Sequence, residues 1–130
     1  MSVQPMRINT PHAPAAVGPY AQGQRAGDLI FTAGQIAIDT QTPGKLVAGG
    51  IKEQTQQVIK NLSAILEAAG SDLSHVIKTT VYMVDLSEFA AMNEIYAQHF
   101  GQALPARATL QAAALPLGAR LEIEAIALVK

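Results

Sequence analysis

The sequence predicts an α+β fold in which one mixed β-sheet of five to six strands carries two α-helices on one face. Three observations predict it. Two stretches repeat apolar residues with the helical period, several others are β-branched and extended, and the order along the chain reads β-β-α-β-α-β-β with a further short strand at the N-terminus. At 130 residues the chain is expected to form a single domain, 1–130.

Met6–Asn9 reads as a short edge strand, and the proline-rich Pro11-His12-Ala13-Pro14 that follows opposes helix. Gly18-Pro19-Tyr20-Ala21-Gln22 turns the chain and delivers an aromatic ring to the start of a strand. Tyr20–Ala26 and Leu29–Ile36 are separated by Gly27-Asp28, a two-residue hairpin signal. Asp39–Gly50 is a polar loop. Over Ile51–Ala69 the residues Ile51, Thr55, Val58, Leu62, Ile65, Leu66 and Ala69 share one helical face, with Lys52, Glu53, Gln56, Lys60 and Glu67 opposite, and Gly70 is the expected stop. Val76–Val84 is a β-branched and aromatic strand. Ser87 is the expected N-cap of a second helix, Glu88–Phe100, with Phe89, Met92, Tyr96 and Phe100 as its apolar stripe. Two extended runs, Pro105–Ala113 and Ala119–Val129, then flank a Leu-Pro-Leu-Gly turn.

Val76–Val84 is apolar on both parities, Ile77, Val81 and Met83 against Val76, Tyr82 and Val84. Ala119–Val129 behaves alike, with Leu121 and Ile123 opposed by Ile126 and Leu128. Strands of this kind are covered on both faces. Two helices cover only one face, so the patterning predicts that the other packs against sister subunits. Charged residues make up only 15% of the chain, below the usual ~25%, which agrees with buried surface in an oligomer.

Composition narrows the chemistry. A net charge of −1 with scattered cations gives no basic stripe for a run of phosphates, so nucleic acid is not expected as a partner. The absence of cysteine removes disulfides, thiol nucleophiles and cysteine-bound metal. His12, His75 and His99 have no metal-ligand spacing, and no metal is expected. The N-terminus lacks the apolar run of a signal peptide or membrane span, which predicts a cytoplasmic protein without a membrane partner.

The residues that could carry chemistry are concentrated near the C-terminus. Alternation along a strand points Arg107 and Thr109 the same way and puts Glu122 and Glu124 on a common face. If those faces meet at one cleft, a cation stands beside a carboxylate, and such a pair can hold a small anion and place a water against it. Arg107 lies in an uncharged run and its planar fork suits a carboxylate; the alternatives are an ion pair to Glu122 or Glu124, or an exposed strand end. Glu122 and Glu124 are either solvated on an edge strand or held, one of them, in a closed cavity. Tyr20 is a core aromatic or a lid. Gly34 marks a strand bend or a close ligand approach. Asn93 is a polar group at a helix–sheet seam, and Thr109 a strand residue rather than a nucleophile. His99 is a surface or partly buried residue.

Together these residues resemble the RidA (YjgF-like) family of reactive enamine/imine intermediate deaminases. The resemblance rests on Gly18-Pro19-Tyr20-Ala21-Gln22, Phe31-Thr32-Ala33-Gly34-Gln35-Ile36, the helix from Gln54 to Gly70, and Asp85-Leu86-Ser87-Glu88-Phe89. It continues through Met92-Asn93-Glu94-Ile95-Tyr96, Pro105-Ala106-Arg107 and Leu121-Glu122-Ile123-Glu124-Ala125-Ile126-Ala127, spanning about Ile8 to Val129. It implies a chorismate-mutase-like fold and a homotrimer whose sheets line an inner barrel, with clefts between subunits. It implies cofactor-independent hydrolysis of 2-imino and enamine acids of the 2-iminopropanoate/2-aminoacrylate and 2-iminobutanoate type, released by pyridoxal-phosphate dehydratases, to the 2-keto acid and ammonia. By motif, Arg107 would bind the substrate carboxylate, Glu122 would position or activate the attacking water, and the backbone at Thr109 would contact the imine nitrogen. Tyr20, Ala33, Gly34 and Asn93 would line the substrate pocket. Ala33 stands where many deaminating members have Ser, Thr109 where several have Cys, and Ala37 where a Pro is common. A non-catalytic trimeric binding protein for small carboxylates is the other reading of the same residues, and an RNA-cleaving activity attributed to some relatives finds no basic patch here.

Overall fold

A computed structural model describes residues 4–130 and contains a six-stranded sheet with two α-helices on one face. The strands are β1 (Met6–Ile8), β2 (Gly23–Ala26), β3 (Leu29–Thr32), β4 (Val76–Met83), β5 (Ala106–Gln111) and β6 (Leu121–Leu128), and the helices α1 (Ile51–Ala68) and α2 (Phe89–Phe100). Their order across the sheet is β1-β2-β3-β6-β4-β5. Among the described strands only β4 and β5 run parallel, a pairing that needs a crossover, which α2 supplies.

The β2–β3 hairpin turns at Gly27-Asp28 as expected, with Gly27 in the left-handed region at φ 62°. Its first strand is shorter than the sequence suggests: Tyr20 to Gln22 lie outside the ladder, and β2 begins at Gly23. The buried Gln22 amide instead bonds the carbonyls of Thr10, Ala13 and Pro14, tying down the proline-rich lead. The backbone of that lead thereby has its hydrogen bonds without a strand partner.

Helix α1 buries Val58, Ile59, Leu62, Ile65 and Leu66 completely against the sheet and α2. Each contributes about 1.5–3 kcal/mol of apolar burial, so α1 is the main anchor of the helical layer. Glu53 closes its N-terminus by accepting from the Gly50 N–H at 2.7 Å, and Gly70 ends it at φ 82°. At the start of α2 the expected cap is corrected. A 3-10 turn, Leu86–Glu88, precedes the helix, and the Asp85 carboxylate rather than Ser87 takes an orphan N–H, that of Ser87, at 2.9 Å. Asp85 is the last extended residue before the turn, which is where a capping side chain can reach back to the chain.

Strand β6 lies at the centre of the sheet, between β3 and β4. Leu121, Ile123, Ala125 and Ala127 are buried under the helices, while Glu122, Glu124 and Ile126 occupy the opposite, helix-free face. Both carboxylates are therefore on a central strand, not the edge strand considered from sequence. Strand β4 carries a bulge between Val76 and Lys78. The bulge shifts parity, so Val76, Thr79, Val81 and Met83 are buried and Ile77, grouped by alternation with Val81 and Met83, is exposed. On the helix-free face Phe31, Leu110 and Leu128 are each 41% exposed. Among the described residues no helix is long and apolar enough to cross a membrane.

Candidate active site

The expected site residues fall into three groups. Strand β5 holds Arg107 opposite Thr79 and Thr109 opposite Val81. Thr79 and Val81 are buried under the helices, so Arg107 and Thr109 face α2. There the Arg107 Nη1–H donates to Asn93 Oδ1 at 2.7 Å. The guanidinium lies over the Tyr96 ring, 4.6 Å from its centroid, with Phe89 at 5.3 Å. Asn93 and Tyr96 are three residues apart on α2 and so share a helical face. The bond to Asn93 uses one of five guanidinium donors, and among the described residues no carboxylate forms an ion pair with Arg107. The Thr109 hydroxyl is buried without a hydrogen-bond partner.

Glu122 occupies the other face. It pairs with Tyr82 across β4–β6, and Glu124 pairs with Thr80. Arg107 is thus two strands away, roughly 10 Å across the sheet and about 10 Å along it, on the opposite side. The conditional expectation that the two faces meet at one cleft does not hold within a single chain, because β4 intervenes between β5 and β6 in a register that gives Arg107 and Glu122 opposite parity.

Gly34 lies directly against Glu122. Reciprocal bonds between Gln35 and Ile123, at 2.9 and 3.2 Å, hold that segment to β6, and a Cβ on residue 34 would stand 2.8 Å from the Glu122 Cδ. The close approach is therefore to the protein's own carboxylate. Burial, and then the charge of Glu124, push the Glu122 carboxyl above its usual pKa. Glu124 is itself bonded by the Tyr82 hydroxyl at 2.5 Å, and that bond raises the Tyr82 pKa in turn. Ala33 is half-buried next to Gly34, its N–H donating to the Gln22 carbonyl at 2.8 Å.

Tyr20 forms the third group. It is 53% exposed, which excludes the core reading, and its hydroxyl accepts from the Val17 N–H at 3.4 Å. It lines a cleft with Arg7, Gly18 and Gln24 near the β1 edge.

Sequence reasoning missed the aromatic bracket of Arg107 and the tyrosine on Glu124. Periodicity assigned Tyr96 and Phe89 to the core stripe of α2. The available signal was Tyr96 at i+3 from Asn93. A serine, a histidine and an aspartate also meet at Asp72, Ser74 and His75. There, however, Asp72 Oδ1 receives Ser74 and lies 2.7 Å from the same His75 Nδ1 that faces the serine at 3.2 Å. One ring nitrogen facing both partners makes no relay. With Lys130 on Asp72 at 3.2 Å, the cluster clasps the C-terminus.

The fold is thus a mixed sheet with helices on one side, carrying a cation bracketed without neutralisation and a half-buried carboxylate against glycine. The chain belongs to the RidA (YjgF-like) family: the family model described as Endoribonuclease L-PSP matches residues 10–129. A mouse protein named 2-iminobutanoate/2-iminopropanoate deaminase is 50% identical over 120 residues, covering 92% of this chain and 88% of that one. The crystal structure of RidA from an Antarctic Psychrobacter superposes with a TM-score of 0.90 at 43% identity, over 95% of this chain and 99% of that one. Escherichia coli TdcF with bound serine superposes with a TM-score of 0.90 at 41% identity, over 96% and 99%.

Proposed function

We propose that this chain is a cytoplasmic, cofactor-independent hydrolase that converts 2-imino and enamine acids of the 2-iminopropanoate and 2-iminobutanoate type to the 2-keto acid and ammonia. The observation that carries the reading is Arg107, a half-buried guanidinium held by an amide and two rings and left available to a substrate carboxylate. The deaminase name of the mouse relative supports the same substrate class. With the carboxylate on Arg107, the imine carbon is held and oriented. Protonated at nitrogen, it is electrophilic. Glu122 takes a proton from water as the oxygen adds to that carbon, then returns it to the amine nitrogen of the carbinolamine, whose C–N bond breaks as the hydroxyl becomes the keto group; ammonia leaves with the second hydroxyl proton as ammonium. A carboxylate with a raised pKa is the stronger base for that step. Asn93 orients Arg107, the Thr109 backbone faces the imine nitrogen, and Tyr20, Ala33 and Gly34 line the pocket.

The opposite faces of Arg107 and Glu122 support a site completed by a second chain, and the half-exposed apolar side chains of the helix-free face support its burial in a homotrimer whose sheets line an inner barrel. RNA cleavage, suggested by the family's description, is not adopted. The chain carries nine cations against ten acids, and Lys52, Arg120 and Lys130 are each already in an ion pair.

A dehydratase that generates imines supplies the test. Added protein should accelerate release of ammonia and keto acid, and Arg107→Ala and Glu122→Ala should each abolish the acceleration. Unchanged activity in Arg107→Ala overturns the proposal, while keto-acid binding without any imine hydrolysis identifies a non-catalytic carboxylate-binding protein.

A further inference from the structure

Arg107 is a long, flexible side chain on an edge strand, and a bare guanidinium there would sample many rotamers. Three contacts restrict it: the Asn93 amide at 2.7 Å, the Tyr96 ring at 4.6 Å and the Phe89 ring at 5.3 Å. The Tyr96 ring is itself anchored. Its hydroxyl shares a 2.7 Å hydrogen bond with Thr79 Oγ1, and both residues are buried. Thr79 is the β4 residue directly opposite Arg107 in the parallel register. The contacts therefore close a circuit from Arg107 through the ring and hydroxyl of Tyr96 to Thr79 and back across one strand pair. We infer that Tyr96, fastened by Thr79, is a positioning residue that sets the plane of the Arg107 fork for a substrate carboxylate. This inference rests on the proposed role of Arg107.

An aromatic ring suits the task better than an acid. A carboxylate under the guanidinium would fix it as firmly but would satisfy its charge and occupy its fork. A ring attracts the cation through its face and leaves the N–H edge for bidentate contact. Burial raises the Tyr96 pKa, so the phenol stays neutral across the working range and the site keeps its full positive charge. Thr79 and Tyr96 each satisfy the other's buried hydroxyl, which explains a threonine with no exposure in the middle of an otherwise apolar strand face.

The test is a set of variants assayed in two ways, by steady-state kinetics on dehydratase-generated imine and by direct binding of a 2-keto acid. Tyr96→Leu removes the ring and should raise both KM and the 2-keto acid Kd about tenfold while kcat stays within about threefold. Tyr96→Phe restores the ring and should recover most of that loss. Thr79→Val frees the hydroxyl anchor at nearly constant volume and should raise KM about threefold. It decides the matter if Tyr96→Leu does not fold. Unchanged KM and Kd in a folded Tyr96→Leu, or in Thr79→Val should that variant alone fold, overturn the inference. Arg107→Ala run alongside separates the two levels. If it loses binding while the Tyr96 and Thr79 variants do not, only the positioning role fails; if it too binds normally, the carboxylate role of Arg107 fails first.

Discussion

Gly34→Ala is the most informative single change, because it moves the proposed base without touching it chemically. A Cβ on residue 34 would stand 2.8 Å from the Glu122 Cδ and 3.0 Å from Cγ, where ordinary contact begins at 3.4 Å. The carboxylate carbon must therefore retreat by about 0.6 Å, and its nearer oxygen further. Residue 34 is exposed and outside the left-handed region, and the atoms in the way are the end of a flexible side chain. Folding should change little, and loss of glycine's unfolded-state freedom contributes about 0.4–1 kcal/mol in favour of the variant. Catalysis is far less tolerant. A displacement near 1 Å costs up to ~100-fold in rate, equivalent to about 2.7 kcal/mol of barrier. The expected result is kcat down ten- to a hundredfold, a melting temperature within a few degrees of the parent and a 2-keto acid Kd changed far less than kcat, since Arg107 is held by α2 and not by residue 34. In a Glu122→Ala background the same alanine should cost nothing more, because both changes remove one function. Full activity in a folded Gly34→Ala, or an equal loss with Glu122 absent, refutes the role given to Glu122.

Glu124→Gln removes the like charge that helps hold the Glu122 pKa up, so the acid limb of the kcat/KM–pH profile should move to lower pH; an unmoved limb argues that another group sets it. Glu122→Gln should raise the melting temperature at neutral pH. A carboxyl whose pKa is raised by folding lowers stability once ionised and restores it as pH falls through that raised value, so the gain over the parent should vanish toward acid pH. Mixing Arg107→Ala with Glu122→Ala chains, unfolded and refolded together, should recover about a quarter of wild-type activity if each cleft takes the two residues from different subunits of a cyclic oligomer, and none if one chain supplies both.

Local signals carried most of the fold. The Gly27-Asp28 turn, the seven-residue stripe of α1 and the alternation of β6 each depend on a few neighbouring residues, and each appears where the period places it. Long-range register was not legible. Nothing in Pro105–Val129 says that β4 enters between the two extended runs, and without that the shared face of Arg107 and Thr109 cannot be related to the shared face of Glu122 and Glu124. The bulge at Ile77 defeats parity in the same way: one extra residue reverses every later assignment on β4. Tyr96 illustrates a different limit. Helical period places it beside Met92 and Phe100 as a core residue, and it is buried as such, but whether the ring packs on aliphatics or beneath a cation depends on which strand lies over α2.

The division of the candidate site between two faces has an energetic consequence. Were Arg107 and Glu122 neighbours in one chain, they would form an ion pair, which would lower the carboxylate's pKa and block the fork that a substrate must enter. Opposite parity prevents that. Each half is instead ordered by contacts of its own: the guanidinium by Asn93, Tyr96 and Phe89, the carboxylate by Gly34 and the register of β6 with Gln35. Two such halves can dock almost as rigid bodies, with little side-chain entropy left to lose when a cleft closes. In the proposed trimer the substrate carboxylate then neutralises Arg107 before water is activated, and the base stays strong at the moment it is needed. Within one chain the register of β4 keeps these two charges apart, and in the proposed trimer they meet only across a subunit boundary.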